Sequence, residues 1–286
     1  MVYLNVSTAI DCVAAFAAKK MRVIERVIHS HSSGNSCENA VQRTVYNIIH
    51  RVCKLFLYRL GTQFYGCSVK AGKWLFPKKI VNSKQFDVIY NAVDRDCFQY
   101  DDVRKEVRKE LKIDNDNLFV IGHIGGFLYY KNHPFLIDVF EQIHRLKNES
   151  ILLLAGTGYK MEKIKGLVRQ KQLEDCVYFL GWRTDADRLY QAMDLFLLPS
   201  KFEVFPIVGV EAQCTQLACV FSDSITMETK MQDHCYYLSL AESPHKWADF
   251  ILQHQNYERS YIQLTEEAKY YDLKNQKDQL RRIVWH

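Results

Sequence analysis

Residues 118–158 decide the fold: LFVIGHIGGFLYYKNHPFLIDVFEQIHRLKNESILLLAGTG. Leu118–Ile124 and Ile151–Ala155 are short apolar runs, which is typical of strands that are buried on both faces. Between them, the apolar residues of 132–146 recur at helical spacing, so that they share one face of a helix. Alternation of strand and helix predicts a parallel sheet that is covered by helices on both sides.

The same alternation continues toward the C-terminus. Further strands are predicted at 177–180, 195–198, 218–222 and 236–238, with helices between most of them. Six strands joined by short loops predict a complete Rossmann-like domain. We place this C-terminal domain at 96–255, and we predict that residues 256–286 form two helices that cross back to the N-terminal domain.

The first third of the chain predicts a less complete α/β domain. Its helices are predicted at 7–19 and 39–60, the first with no strand before it, and its strands at 22–28, 62–66 and 88–90. Three strands are too few for an independent α/β domain. Residues 1–95 are therefore interpreted as a truncated N-terminal Rossmann-like domain.

Charge is distributed unevenly along the chain. Residues 1–95 hold 14 Lys and Arg against 5 Asp and Glu, a net charge of +9, and the remainder has −4, which together give +5. The basic and apolar stretch 51–79 suits an anionic membrane surface or phosphate groups, and it equally suits a solvated helix face. No nucleic-acid-binding motif accompanies the charge, so we expect no nucleic-acid partner.

Cysteines and apolar runs indicate the compartment. Nine scattered cysteines form no C-x-x-C pair, which favours reduced thiols in the cytoplasm. The longest apolar runs fall far short of the roughly 20 residues that cross a bilayer, and no secretory signal follows Met1. We expect a cytoplasmic chain, with peripheral contact to the inner face of the cell membrane through its basic first third.

Five segments carry a resemblance to a known family, and they occur in order: HSHSSGNS (29–36), NAVDRDCF (91–98), GHIGGFLYYKNH (122–133), LPSKFEVFPIVGVEAQ (198–213) and FSDSITME (221–228). With them the chain resembles the family 4 glycosyltransferases of the GT-B fold, particularly the capsular and exopolysaccharide transferases of the EpsF type. The resemblance implies a GT-B-like α/β fold with two Rossmann-like domains. It also implies that about one hundred N-terminal residues of the full enzyme are absent.

The resemblance further implies a function. A hexose would pass, with retention, from a nucleotide-diphosphate-sugar such as a UDP-sugar to a growing, lipid-linked glycan in polysaccharide biosynthesis. The alternative is a truncated or degenerate relative that binds the nucleotide-sugar without turnover.

Glu203 and Glu211 form an E-x7-E pair, whose spacing of about two helical turns allows both carboxylates to face one cleft. Pro206 suits the first turn of the helix that carries them, where its missing N–H costs nothing. The resemblance implies that Glu211 binds the ribose, that Glu203 acts catalytically on the transferred sugar, and that Phe205 and Pro206 contribute to the donor site. The alternative is a pair of exposed helix carboxylates.

Lys131 and the loop before it match the family's diphosphate site. The resemblance implies that the Lys131 ammonium neutralises the leaving diphosphate, although a surface lysine at a helix start is the alternative. Gly125 matches the family loop, but Gly126 replaces its diphosphate-binding arginine. Val204 is a second departure from the family pattern, because the family usually has glycine at this position.

The remaining candidates are assigned as follows. The resemblance places His31 beside the donor sugar as a second catalytic candidate, and Trp182 and Arg183 beside the nucleotide base, although Trp182 equally suits packing. His123 is interpreted as a satisfied core histidine. No metal or other cofactor is expected, because Asp185 and Asp187, which have D-x-D spacing, are interpreted as a helix cap.

Overall fold

The computed structural model describes residues 1–35, 37–101, 103–113, 115–203, 205–257, 259 and 265–284. They form two compact units. Unit 1 contains Met1–Ala92, Glu203–Phe205 and Tyr270–His286, and unit 2 contains Val93–Phe202 and Pro206–Lys269. Each unit is built around its own parallel sheet.

Unit 1 is a four-stranded parallel sheet in the order β1-β2-β3-β4 with helices between the strands. Its strands are β1 (Val2–Val6), β2 (Arg26–Ser30), β3 (Gln63–Gly66) and β4 (Phe86–Val88). Its helices are α1 (Val13–Lys20), α2 (Ala40–Leu57), α3 (Val69–Leu75), α4 (Lys78–Val81) and, near the C-terminus, α11 (Leu273–Val284).

The prediction of three strands in this region, with none before the first helix, is wrong. β1 pairs in parallel with β2, from Val2 opposite Arg26 to Val6 opposite Ser30. As an edge strand, β1 buries only Val6, so it lacks the continuous apolar run that revealed the other strands. The first helix begins at Val13 rather than at residue 7, and the segment before it is held by His50, whose Nδ1 accepts the Ala9 N–H at 3.1 Å.

Unit 2 is a six-stranded parallel sheet in the order β10-β9-β8-β5-β6-β7. Its strands are β5 (Phe119–Ile124), β6 (Ser150–Ala155), β7 (Val177–Gly181), β8 (Leu195–Leu198), β9 (Ala218–Ser222) and β10 (Cys235–Leu238). Its helices are α5 (Arg104–Glu110), α6 (His133–Leu146), α7 (Met161–Gln170), α8 (Ala186–Ala192), α9 (Ile207–Cys214) and α10 (Pro244–Gln253). The predicted strands agree with the observed ones to within two residues, whereas α5 was not predicted.

The strand order of unit 2 reverses between β5 and β8. The chain runs outward from β5 through β6 to β7, returns to β8 and then runs outward through β9 to β10 on the other side. In open parallel sheets, ligands bind in the crevice that such a reversal opens at the carboxyl ends of the strands. One wall of this crevice is fixed by the close packing of α9 against β9. A Cβ on Gly209 of α9 would lie only 2.8 Å from the Phe221 ring of β9.

A buried arginine that sequence analysis missed ties α5 to the sheet of unit 2. Arg108 is fully buried, and its guanidinium donates to the carbonyl oxygens of Ala192, Asp116 and Leu118. Its Nη2 also lies 2.7 Å from Asp194 Oδ2.

The C-terminal segment agrees with its prediction in part. The second of the two predicted helices, at 271–284, is present as α11, which follows a 3-10 helix over Glu266–Tyr271. The first was predicted at 257–269, where residues 258 and 260–264 lie outside the described residues. Phe205 of unit 1 packs against the tail, with its ring 4.9 Å from that of Tyr271 and 6.1 Å from that of Tyr90.

Candidate functional site

Three loops meet at the carboxyl ends of β5, β6 and β7 in unit 2. The Gly125 N–H donates to the Ala155 carbonyl at 2.9 Å, and the Gly156 N–H donates to the Gly181 carbonyl at 2.7 Å. The Phe127 N–H donates to the Thr157 carbonyl at 2.9 Å. The backbone of Gly125–Phe127 is therefore held in place by the neighbouring loop.

Gly156 is required by this arrangement. Its φ is +136°, and a Cβ there would lie 2.1 Å from the Gly125 carbonyl oxygen. A side chain at this position would strain its own backbone and displace the loop after β5. The Gly156–Gly158 segment thus supports the candidate diphosphate loop, in addition to joining β6 to α7.

Lys131 lies close to Gly125. It ends a 3-10 turn over Tyr129–Lys131, and its residue is 8% exposed. A Cβ on Gly125 would lie 3.3 Å from Lys131 Cε, so the glycine leaves room for the lysine stem. The next residue, Asn132, has a left-handed backbone with φ of 58°, and its Nδ2 donates to the Pro199 carbonyl at 3.1 Å, which fixes the chain where Lys131 departs.

Gly126 has space for a side chain. The nearest atoms to a Cβ at this position belong to Leu128 and Thr157, each at 3.4 Å, which is ordinary contact. The backbone of Gly126 is also outside the positive-φ region. A Cβ is therefore tolerated at this position, and the fold does not require glycine here.

His123 is buried in the core, as the sequence indicated, but the interpretation that its ring is fully satisfied is wrong. Its Nδ1–H donates to the Leu197 carbonyl at 2.8 Å, but its buried Nε2 has no hydrogen-bond partner among the described residues. Burial, with a smaller contribution from the Lys131 charge, lowers the pKa of His123 to about 3, so its ring is neutral. A Cβ on Gly125 would lie 3.2 Å from this Nε2, which therefore points toward the candidate loop.

A second buried histidine adjoins the first. The His133 ring stacks on Phe127 with 4.2 Å between centroids and lies 4.8 Å from the His123 ring. Neither of its ring nitrogens has a partner among the described residues, and burial lowers its pKa to about 2. The wall behind Lys131 is thus two neutral imidazoles, a feature that no motif in the sequence had indicated.

Glu211 lies on α9, and Tyr190 of α8 contacts it. The Tyr190 hydroxyl is 2.9 Å from Glu211 Oε2 and 3.0 Å from the Val208 carbonyl oxygen. Burial raises the pKa of the Glu211 carboxyl, and the hydrogen bond from Tyr190 opposes that rise. The alternative of an exposed helix carboxylate does not hold for Glu211.

Glu203 precedes the helix that carries Glu211. Because α9 begins at Ile207 with Pro206 at its N-cap, the argument from helical turns does not apply to the pair. Glu203 is 9% exposed and, with Phe205, belongs to unit 1, whereas Pro206 and Glu211 belong to unit 2. Val204 lies outside the described residues.

Trp182 and Arg183 directly follow β7. Trp182 is 76% exposed, which excludes the packing alternative within unit 2. The Arg183 guanidinium donates to both carboxylate oxygens of Asp185, at 2.8 and 2.5 Å. Asp185 does precede α8 at the N-cap, but its side chain makes no capping hydrogen bond and is engaged by Arg183 instead.

His31 lies beside a cavity in unit 1. The cavity measures about 440 Å³, and its lining includes Asn5, His29 and Gln276. The His31 Nε2–H donates to Asn5 Oδ1 at 2.9 Å, and the His31 ring lies 4.0 Å from that of His29. Burial lowers the pKa of His31, which favours the neutral ring expected of a hydroxyl partner.

A second cavity of unit 1, of about 310 Å³, lies beside α2. Tyr46, Asn47 and His50 of that helix line it, together with Trp74, which stacks on His50 with 3.9 Å between centroids. The lining offers both polar and aromatic surface, the combination that binds sugars and other amphipathic small molecules.

Two features are absent from the described part of the chain. No group of three or more His, Cys, Asp or Glu side chains is arranged to hold a metal ion. No helix there is both long enough and apolar enough to pass through a bilayer.

Comparison with known proteins places these features in a family. The model of the family described as glycosyl transferases group 1 matches residues 103–269. The chain is 31% identical over 242 residues to the putative glycosyltransferase EpsF of Bacillus subtilis, covering 83% of this chain and 61% of that protein. It is 25% identical over 210 residues to UDP-Gal:alpha-D-GlcNAc-diphosphoundecaprenol alpha-1,3-galactosyltransferase of Escherichia coli, covering 72% and 54%. The chain thus spans between 54% and 61% of the length of these relatives.

The chain superposes on solved structures over nearly its whole length. Anabaena HepE in complex with UDP and glucose superposes with a TM-score of 0.76 at 20% identity, over 95% of this chain and 74% of that one. Sucrose-phosphate synthase of Thermosynechococcus elongatus superposes with a TM-score of 0.74 at 16% identity, over 98% and 73%. The predicted α/β fold of GT-B type is confirmed.

Proposed function

Because the chain belongs to the glycosyl transferases group 1 family, we propose that it transfers a hexose, with retention, from a nucleotide-diphosphate-sugar to a growing glycan in capsular or exopolysaccharide biosynthesis. The observation that carries the proposal is the loop after β5, where Gly125 leaves room for Lys131 and the backbone is held by Gly156. A nearly buried ammonium beside a fixed glycine loop, at the carboxyl edge of a parallel sheet, suits a diphosphate.

In this proposal each group has a chemical task. Lys131 neutralises the negative charge that develops on the diphosphate as the glycosidic bond breaks, which lowers the barrier electrostatically. Glu211 accepts hydrogen bonds from the ribose diol, with its carboxylate oriented by Tyr190. The exposed Trp182 offers a surface for the base. The roles of His31 and Glu203 on the transferred sugar remain predictions from the resemblance.

The proposed acceptor rests on the name of a relative and on a cavity in unit 1. The relative from Escherichia coli acts, by its name, on a diphosphoundecaprenol-linked sugar. We propose an acceptor of the same class, a glycan carried by a lipid at the cytoplasmic face of the membrane. The 310 Å³ cavity of unit 1, with its polar and aromatic lining, is the candidate site for the acceptor sugar.

Calorimetric titration with UDP and with uridine tests the donor site. We expect UDP to bind much more tightly than uridine, because only UDP offers a diphosphate to Lys131. We also propose that no divalent cation is needed, so EDTA should leave the UDP affinity unchanged. Equal affinities for UDP and uridine would contradict the proposed diphosphate site.

Glu211→Ala should weaken UDP binding by a factor of about 10–150, which corresponds to the roughly 1.5–3 kcal/mol of a lost charged hydrogen bond. Uridine should lose affinity by the same factor, since the ribose is common to both ligands. Tyr190→Phe is the matched variant: it removes the hydroxyl that orients Glu211 but keeps the carboxylate, so a smaller loss is expected. An unchanged dissociation constant for Glu211→Ala would remove this residue from the site.

The second candidate function is binding of a nucleotide-sugar without turnover. The observation that favours it is Gly126, which supplies no charge where the family has a diphosphate-binding arginine. Loss of such an electrostatic contact commonly lowers the catalytic rate by about two to three orders of magnitude.

Gly126→Arg separates the two candidates. A Cβ at this position meets only ordinary contacts, and a guanidinium can bind phosphate oxygens bidentately. We expect about tenfold or greater tightening for UDP, in line with a charged hydrogen bond, and none for uridine. Donor hydrolysis or transfer that appears only in this variant would favour the binding-only function for the natural chain. Equal changes for UDP and uridine would place residue 126 away from the diphosphate.

A further inference from the structure

A buried nitrogen atom without a protein partner lies beside the lysine of the candidate diphosphate loop. His123 of β5 is fully buried, and its Nδ1–H donates to the Leu197 carbonyl of β8 at 2.8 Å. Because a carbonyl only accepts, this bond fixes the tautomer, and the neutral ring has a bare lone pair on Nε2. None of the described residues donates to that Nε2. A buried acceptor without a donor is costly, so the atom calls for an explanation.

The space in front of this Nε2 is shared with Lys131. A Cβ on Gly125 would lie 3.2 Å from His123 Nε2, 3.3 Å from Lys131 Cε and 3.5 Å from Lys131 Cδ. The imidazole nitrogen and the end of the lysine stem therefore border the same small volume, which stays open because residue 125 has no side chain. The ammonium is one bond beyond Cε, and its charge contributes to the lowered pKa of His123. It is thus close enough to act on the imidazole.

Two backbone donors of the loop are already engaged elsewhere. The N–H groups of Gly125 and Phe127 donate to carbonyl oxygens of the loop after β6, each at 2.9 Å. An ammonium, in contrast, carries three N–H bonds. Lys131 can therefore donate one of them to an imidazole and keep two for phosphate oxygens.

Aromatic neighbours hold the His123 ring in place without using its Nε2. The Phe196 ring lies parallel to it with 6.2 Å between centroids, and the His133 ring lies 4.8 Å away at an interplanar angle of 76°. His133 itself stacks on Phe127, and neither of its nitrogens has a partner among the described residues. The lone pair of His123 therefore keeps a fixed direction, toward Gly125 and the lysine stem.

We propose that His123 is a positioning residue for Lys131: when a diphosphate occupies the loop, His123 Nε2 accepts one N–H of the Lys131 ammonium and holds it against the phosphate oxygens. This inference deepens and rests on the proposed function. A neutral acceptor suits the task, because a carboxylate here would cancel the charge that the diphosphate needs. The imidazole orients the ammonium and leaves its charge intact. Burial lowers the pKa of His123 to about 3, so the ring remains an acceptor at neutral pH.

Two substitutions separate the two nitrogens of His123. In His123→Asn the amide nitrogen can replace Nδ1 as the donor to Leu197, but nothing replaces Nε2. Calorimetry should show UDP affinity falling about three- to tenfold, as for one lost hydrogen bond, with uridine affinity unchanged. In His123→Gln the longer amide reaches the position of Nε2 and restores an acceptor there. UDP affinity should therefore return close to that of the unmodified chain.

A double-mutant cycle tests whether His123 acts through the ammonium. In a Lys131→Met background, His123→Asn should lower UDP affinity no further, because the group that it positions is already gone. His144→Asn is the matched control. It makes the same change in a histidine of α6 whose Nδ1 lies 3.1 Å from Ser150 Oγ, and it should leave UDP binding unchanged. Thermal unfolding of each variant measures any loss of stability separately.

Nitrogen-15 NMR of the histidine rings gives a readout that needs no folded His123→Asn variant. With UDP bound, the ring of His123 should show a protonated Nδ1 and an unprotonated Nε2. Lys131→Met should shift the Nε2 resonance, because its donor is removed, and leave the Nδ1 resonance in place. The signals are assigned by their disappearance in His123→Gln.

Three outcomes would overturn the positioning role: equal losses of UDP affinity in His123→Asn and His123→Gln, a further loss from His123→Asn in the Lys131→Met background, or an unshifted Nε2 resonance. The proposed function fails differently. If Lys131→Met bound UDP as tightly as the unmodified chain, the diphosphate site itself would be rejected, together with the role of His123. If Lys131→Met lost affinity while His123→Asn did not, only the positioning role would be rejected.

Discussion

Asp194→Ala should destabilise unit 2 by about 3–5 kcal/mol, because it leaves the buried guanidinium of Arg108 without its counter-charge. The Asp194 carboxylate accepts from Arg108 Nη2 and from the Val120 N–H, both at 2.7 Å, and pairs with Arg104 Nη2 at 2.7 Å. Its removal would therefore affect both α5 and β5, the strand that carries Val120. Urea unfolding monitored by circular dichroism measures the loss.

Two further variants make this result interpretable. Asp194→Asn keeps the shape and an acceptor for Val120 but removes the charge, so an intermediate loss is expected. Asp116→Ala breaks a surface pair with Lys105, which spans 3.8 Å between exposed side chains, and should cost about 1 kcal/mol or less. Hydrogen exchange at the Val120 amide should accelerate in both Asp194 variants. A loss for Asp194→Ala no larger than that for Asp116→Ala would contradict the role given to the buried pair.

Lys131→Ala should produce the largest functional effect. UDP affinity should fall by a factor of about 10–150, the range expected for a lost hydrogen bond to a charged group. In a preparation that transfers sugar, the turnover rate should fall by about 10²–10³, because charge develops on the diphosphate in the transition state. Uridine binding should be unaffected, since uridine lacks the phosphates.

Lys131→Met separates charge from packing. The methionine retains an apolar stem beside Gly125 but not the ammonium, so its UDP affinity should match that of Lys131→Ala. Lys165→Ala is the control, because that lysine lies on the surface of α7, where it pairs with Glu162 at 2.8 Å. Recovery of UDP affinity in Lys131→Met would show that Lys131 acts through packing.

The architecture of unit 2 was predictable because its signals are local. Strands such as β6 are buried along their whole length, so that they appear in the sequence as continuous apolar runs. β1 was missed for the converse reason, since an edge strand has few buried positions. The positions of Gly125 and Lys131 followed from the same pattern, because loops after parallel strands gather at one edge of the sheet.

The partners of the site residues were not predictable from spacing. Tyr190 is 21 residues from Glu211, and Arg108 is 86 residues from Asp194, so each contact exists only once the sheet has formed. The unpartnered Nε2 of His123 was likewise not predictable. An apolar neighbourhood in the sequence predicts burial, but it does not predict which polar atoms have a hydrogen-bond partner.

The sequence by itself determined the complete Rossmann-like unit and the order of its loops, because periodic burial leaves few alternative arrangements. Only the tertiary structure decided the direction in which the apolar face of α2 points. Helical periodicity shows that an apolar face exists, and it is the same for a face in a core and for a face in a membrane interface. The packing of His50 and Leu57 against unit 1 leaves apolar side chains on the other side of α2, such as Ile48 and Val52, more than half exposed.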